Sequence, residues 1–349
     1  MNSFRKEIVN LSLSTTWLMN SISEHKGKQE LYTQQSPQIL KTLVEMALIE
    51  SSESSNRIEG VTVDRARLKP LIVGHARPRD RSEEEVAGYR KALDWIHRKH
   101  GSIEVSPEVI LELHRLSRGE AGDAGEWKKK NNEIIRKNPD GSVEVIYKAT
   151  PADETPKAIE QTCMLYRHSI DQSKYPSLYA IACLILDFLC IHPFRDGNGR
   201  VSRLLTILAL YHHGFSVGKY ISLERIVEQT KETYYESLYK SSQDWHKARH
   251  DVTHWLNYFL GMLLFAYKEF ENRSSHLKIG KGAKTEIIKQ SIDHQIGEFS
   301  LSDILQVCPG VSRETAKLVF RELANQQKII CLGKGKSAKW KKISLAGMG

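Results

Sequence analysis

His192-Pro193-Phe194-Arg195-Asp196-Gly197-Asn198-Gly199-Arg200-Val201-Ser202-Arg203 is the stretch on which the reading of this chain turns. It leaves the mainly apolar run Leu178 to Ile191 and leads into Leu204, Leu205, Ile207, Leu208 and Tyr211 at helical spacing, so it reads as a loop between two buried helices. Gly197 and Gly199 permit positive φ and close backbone approach, which lets successive N–H groups form an anion nest at the start of the second helix. Arg200 and Arg203 stand three apart on that helix's first turn, a spacing expected to put both guanidinium groups on one side to grip phosphate oxygens. Asp196 offers a hard oxygen suited to Mg²⁺ held between phosphates. His192, with an ordinary pKa of about 6.5, can take a proton from an attacking hydroxyl near neutral pH. Phe194 reads as the anchor that buries the loop.

Outward from the loop, the pattern is helical as far as about residue 270. Ile39, Leu40, Leu43, Met46 and Ala47 recur at three- and four-residue spacing after Pro37. Ser82-Glu83-Glu84-Glu85 reads as a capping box, with Val86, Tyr89, Ala92, Leu93 and Ile96 as the buried stripe behind it. Ser106-Pro107 starts a further helix. Between Ile134 and Tyr147 the period changes to two around Asn138-Pro139-Asp140-Gly141, a hairpin signal. From about Asn272 to Lys284 the composition turns to Ser, Gly and Lys, which reads as a linker. Beyond it, helices over Thr285–Ile296, Leu301–Val307 and Ser312–Asn325 and a hairpin over Lys328–Ile343 have the order of a winged helix.

The chain has 349 residues, 40% hydrophobic and 27% charged, which excludes disordered and collagen-like classes and allows two or three domains. Leu178 to Ile191 contains Asp187 and is too short for a membrane span, which takes roughly 20 apolar residues. The N-terminus lacks a secretory pattern, so a cytoplasmic protein without membrane contact is expected. Cys163, Cys183, Cys190, Cys308 and Cys331 form no metal or disulfide pattern and read as free thiols. His246, His250 and His254 have metal-like spacing but no acidic or thiol partner nearby. From Glu271 onward there are 14 Lys and Arg against 7 Asp and Glu, so this segment carries +7 of the net +9 and is a candidate nucleic-acid surface.

The loop fills every defined position of H-x-F-x-[DE]-G-N-G-R-x-x-R, and on this ground the chain resembles the Fic-domain family. Eight defined positions at about 5% usage each give a chance match on the order of one in ten billion per start site. The resemblance implies an all-α Fic core with a hairpin flap that receives target backbone as an added strand. It also implies transfer of AMP from ATP to a Ser, Thr or Tyr hydroxyl of a protein target, itself included. In that reading His192 is the base and Asp196 the Mg²⁺ ligand. Gly197, Asn198 and Gly199 cradle the α- and β-phosphates, and Arg200 and Arg203 hold the outer ones. Ser55-Asn56-Arg57-Ile58-Glu59-Gly60 resembles the family's inhibitory motif, with Ser55, Glu59 and Gly60 at its defined positions. Glu59 is then expected to pair with Arg203 and keep ATP unproductive. Ala124-Gly125-Glu126-Trp127 also resembles the family, although Lys128 stands where an arginine is common. Tyr234 and Tyr235 are candidates for an adenine-facing wall.

The expected organisation is an N-terminal helical region with the inhibitory helix over 1–110, the Fic core over 111–270, a linker over 271–284 and a winged-helix domain over 285–349. In the tail, Arg313, Lys317 and Arg321 would share one face of the recognition helix, with Lys334, Lys336, Lys339, Lys341 and Lys342 along the wing. Such a surface suits DNA backbone, docking to a protein, or a homodimer. Three other functions stay open: removal of AMP by the same fold, transfer from another phosphate donor, and a DNA-binding regulator with a nucleotide-sensing core.

Overall fold

Side-chain caps set the starts of several helices in the computed structural model, which describes residues 2–4, 10–33, 37–74, 76–119, 121–137, 142–276, 283–293, 295, 297–308, 311–333, 335 and 338–343. Asp80 caps α4 (Arg81–Lys99), its carboxylate accepting from Glu83 N at 2.9 Å. This corrects the Ser82 capping box: Asp80 has the extended backbone a cap needs, and Ser82 lies within the first turn. Val86, Tyr89, Ala92, Leu93 and Ile96 of α4 are buried as the stripe predicts. Ser106 caps α5 (Pro107–Arg118), with Pro107 in the first turn, where its missing N–H costs nothing.

The core centres on α7 (Ser177–Ile191), in which all but Ser177 and Leu189 are buried. Around it pack α6 (Thr155–Asp171), α8 (Asn198–His212), α10 (Lys231–Ser242) and α11 (Thr253–His276). Asp187, the one charge in the apolar run, is satisfied by Trp245 Nε1 and Ser3 Oγ, each donating to Oδ1 at 2.6 Å. Two further helices, α2 (Pro37–Ile58) and α9 (Leu223–Gln229), lie against each other, and α3 (Arg65–Val73) bridges α2 and α4. Helix α1 (Leu13–Thr33) runs beside α11, held by Thr15 Oγ1 donating to Asn257 Oδ1 at 2.8 Å and by His25 stacked on Tyr267. Its sequence mixes polar with apolar residues, and Thr15, Met19, Ile22 and Gln29 are the buried set; periodicity alone gives no sign of it.

Strands β1 (Glu133–Lys137) and β2 (Val143–Lys148) form the expected antiparallel hairpin, with Glu133 opposite Lys148 and Lys137 opposite Val143. The Asn138–Gly141 turn lies outside the described residues. Helix α11 continues to His276, past the point where composition suggests a linker. Buried Arg273 pairs with Glu269 one turn back, at 2.5 Å, and extends the helix. The tail comprises α12 (Ala283–Asp293), β3 (Glu298–Ser300), α13 (Leu301–Val307), α14 (Arg313–Asn325), β4 (Ile329–Cys331) and β5 (Lys339–Lys342). Its sheet has the order β3-β5-β4, antiparallel throughout, and Phe320 packs against Phe299 and Trp340. Strand β3 has no signal in the reading above, because three residues are too few for an alternating pattern. Among the described residues no helix is long and apolar enough to cross a membrane.

Candidate functional site

The loop owes its shape to two left-handed residues. His192 ends α7 with φ 51°, its N–H returning to Phe188 O at 2.9 Å. Gly197, φ 85°, opens α8, and a Cβ there would press on Arg118 and His114. Phe194 is fully buried between two rings, His114 at 3.7 Å and Trp127 at 5.2 Å between centroids. Asn198 is buried with its amide turned into the loop, accepting from Phe194 N at 2.9 Å and donating to Phe194 O at 2.8 Å. Its side chain therefore staples the loop, and any share it has in a phosphate cradle falls to its backbone.

His192 Nδ1 lies 3.2 Å from Leu189 O. A carbonyl only accepts, so Nδ1 carries the proton and Nε2 presents its lone pair. Burial brings the imidazole down to about 4, with Lys128 acting in the same direction against Leu189 O, Glu59 and Asp196. The ring is neutral at pH 7, as a general base must be.

Arg200 and Arg203 face different partners, which corrects the expectation that both would grip outer phosphates from one side. Arg200, 1% exposed, donates to Glu85 Oε2 at 2.7 Å and also contacts Asn56. Arg118 of α5 donates to Glu85 Oε1 at 2.7 Å and to Asp196 Oδ2 at 2.8 Å. Glu85 thus carries two buried arginines, with Arg81 at its edge, and this cluster aims Asp196. Burial would raise the Asp196 carboxyl, but Arg118 and Arg200 outweigh it and hold the group below the ordinary range. His114 completes the frame: Gly125 N donates to its Nδ1 at 3.0 Å, so its Nε2–H donates to Asp196 O at 3.1 Å.

Arg203 turns to the end of α2. Its Nε donates to Ser55 Oγ at 2.9 Å, and its Nη2 to Ser55 O at 2.9 Å and Glu59 Oε1 at 2.7 Å. Glu59 and Gly60 lie just past the last helical residue, Ile58, with Gly60 in the left-handed region at φ 81°. The Glu59 carboxylate lies over Gly199, where an added Cβ would collide with its Oε1. An anion therefore already occupies the space between Arg203 and the glycine backbone.

Tyr234 is buried against Trp255, Tyr258 and Tyr235 and lines a small cavity with Ser202 and Arg203, while Tyr235 is 45% exposed. Beside Asp196 a cleft of about 980 Å³ opens, lined by Arg81, Arg118, Asp123, Trp127, Arg195 and Asp196 among others. Lys128 and Asn132 stitch the approach to β1 onto the loop. The Lys128 ammonium donates to Ile191 O and His192 O at 3.0 Å and to Asn132 Oδ1 at 2.8 Å. At the far end, His246 Nε2 donates to Lys148 O at 2.7 Å. His246 and His254 fall on separate elements with His250 between them, so the three share no helix face.

Among the described residues no three His, Cys, Asp or Glu side chains gather as a metal cage. Asp196 does fit a cation whose other ligands come from phosphates: it is half exposed, and Gly197 N and Arg118 take only one lone pair on each oxygen. The sequence reading missed Glu85 as the centre of the ion cluster, along with Arg118, His114 and Asn132. Each lies far from the loop in sequence, and the capping-box reading of Ser82 to Glu85 gives Glu85 a helix-end role instead.

A model described as the Fic/DOC family matches residues 104–210. A Fido domain-containing protein of Dictyostelium discoideum is 32% identical over 120 residues, 33% of this chain and 79% of that protein. Among solved structures, a Fic family protein of Desulfovibrio desulfuricans superposes with TM-score 0.61 at 20% identity over 98% of each chain. A Fic domain-containing signaling protein of Bacteroides thetaiotaomicron gives 0.62 at 20% identity over 75% of this chain and 99% of that one. At such identities the structural likeness speaks for the fold.

Proposed function

Because this chain belongs to the Fic/DOC family, we propose that it transfers AMP from ATP to a Ser, Thr or Tyr hydroxyl of a protein, and that Glu59 restrains the reaction. The observation that carries the proposal is the carboxylate resting on Arg203 and over Gly199. A pocket that holds a carboxylate between a guanidinium and bare glycine backbone suits a phosphate of the same charge. Family members act generally as transferases; the donor and the restraint are our reading.

In this mechanism the acceptor hydroxyl reaches Nε2 of His192, which is neutral with its other nitrogen tied to Leu189 O, and gives up its proton as its oxygen attacks the α-phosphorus. Pyrophosphate leaves. The N–H groups of Asn198 and Gly199 stabilise charge on the phosphates, while that of Gly197 holds Asp196 Oδ1 at 2.7 Å, and Arg203 holds the outer phosphate once Glu59 has moved. Asp196 would hold Mg²⁺, which supplies charge neutralisation on the phosphates. The hairpin β1–β2 would add a target strand and present its hydroxyl.

We assign the tail a winged-helix docking role in preference to DNA binding. Arg313, Lys317 and Arg321 are exposed on α14, but so are Leu318 beside them, Ile330 on β4, and Leu332 and Ile343 just past the ends of β4 and β5. Exposed apolar side chains of this size suit a protein surface better than phosphate backbone.

The test is labelling with ATP carrying the label at the α-phosphate beside ATP carrying it at the γ-phosphate, using wild type and Glu59→Gly. Protein-bound label from the α position only, stronger in Glu59→Gly, is expected. Label arriving from the γ position would make the protein a phosphotransferase instead.

A further inference from the structure

We propose that Lys128 is the positioning residue that fixes His192 in its left-handed conformation and references it to the hairpin, a role that rests on the transfer reading and adds a residue to it. Lys128 is 5% exposed. An ammonium has three N–H donors, and here all three are spent on Ile191 O, His192 O and Asn132 Oδ1. None remains for phosphate or target, so the lysine acts only through its neighbours.

Those neighbours are the end of α7. The last carbonyls of a helix lack intrahelical partners and form its negative pole. A non-glycine residue in the left-handed region there costs on the order of 1 kcal/mol. A cation bonded to the final carbonyls offsets both costs. The contact also has a pattern. Lys128 Nζ takes the carbonyls of Ile191 and His192, Lys128 N–H takes that of Pro193 at 2.9 Å, and Asn132 Nδ2 takes that of Phe194 at 3.0 Å. Four consecutive carbonyls, from the last residue of α7 into the loop, are thus held by residues 128 and 132, and β1 starts at Glu133, the next residue. The group proposed to take the proton and the strand proposed to deliver the hydroxyl share one fixed reference.

The same cation acts on the imidazole. Burial lowers His192 most, Lys128 adds to it, and Leu189 O, Glu59 and Asp196 oppose it. Burial also brings Lys128 itself down to about 8, so it is mostly charged at neutral pH.

The test uses the full chain labelled on its histidine rings, followed by NMR from pH 8 downward, with His192→Asn to assign the signal. The wild-type ring should be the Nδ1–H tautomer and protonate near 4. In Lys128→Met the midpoint should move up toward the ordinary histidine value, and Lys128→Arg, which keeps charge and donors, should restore it. In the Glu59→Gly background, Lys128→Met should lower kcat for AMP transfer on the order of tenfold with KM for ATP little changed, and Lys128→Arg should recover most of the loss. A folded Lys128→Met protein with an unmoved His192 midpoint and undiminished kcat overturns the proposal. Should Lys128→Met fail to fold, Asn132→Ala is measured instead: a several-fold fall in kcat supports the clamp, and an unchanged kcat removes it. If no variant transfers AMP, the transfer reading fails, while the ring titration still decides the role of Lys128.

Discussion

Arg200 and Arg203 begin the same helix one turn apart, yet their surroundings differ in one respect that separates a scaffold pair from the proposed switch. Arg200 meets Glu85, a carboxylate 3% exposed that also carries Arg118; Arg203 meets Glu59, a quarter exposed at the end of α2. In the first pair both ions have lost their water, and removing either strands a buried charge. In the second, the carboxylate can return to solvent at small cost and leave its arginine to another anion. Spacing in the sequence makes the two arginines look alike; the depth of the opposing acid distinguishes them.

Substitutions can break or sharpen this contrast. The largest effect is expected from His192→Ala, which both sides of the comparison serve. Transfer should fall by roughly 10²–10⁴-fold while ATP affinity, read by calorimetry, stays within about threefold. Transfer at near wild-type rate would mean another group takes the proton.

Glu85→Ala should come next, measured as stability. Leaving Arg118 and Arg200 without their shared acid should cost about 3–5 kcal/mol, seen as a clear drop in the denaturation midpoint. Glu59→Gly should cost no more than about 1 kcal/mol. Equal losses in the two variants would erase the distinction between scaffold and switch.

A pH series probes the frame around the loop. His97, His114 and His192 are each lowered by burial to about 4, so the unfolded chain binds their protons first. Stability should be full above about pH 6.5 and fall as pH drops from there toward 4, by on the order of 3 kcal/mol for His114 alone. The His114→Phe variant, which keeps a ring against Phe194, should show a shallower fall in chemical denaturation, and an identical slope would remove His114 from the account.

The smallest effect is expected from the tail. Deleting residues 283–349 in the Glu59→Gly background should leave self-labelling within about twofold, since no residue assigned to the donor lies there. A large loss would tie the tail to the site.

Much of the site is readable from sequence because it is local. The twelve residues from His192 to Arg203 contain the proposed base, the Asp196 carboxylate, the glycine backbone and Arg203, and helix-end rules convert their spacing into geometry. Glu59 is also readable, because a short motif and the charge of Arg203 point to each other. The supporting frame is another matter. Glu85, Arg118 and His114 come from α4 and α5, and their meeting depends on how those helices pack against α8, which no periodicity encodes. Glu85 stands in a run of three glutamates, and only burial separates it from Glu84. Helix α1 is hidden for a related reason: its buried face includes Thr15 and Gln29, whose partners Asn257 and Tyr267 lie over two hundred residues away.

The central claim is that Glu59 and a donor phosphate compete for Arg203. It is tested most directly by the rate of label transfer from α-labelled ATP across a range of ATP concentrations, for wild type, Glu59→Gly, Arg203→Ala and the double variant. The account predicts a rise of well over tenfold in Glu59→Gly, more than about 1.4 kcal/mol in barrier, with Arg203→Ala and the double variant both slow. Equal rates for wild type and Glu59→Gly at every ATP concentration would contradict it.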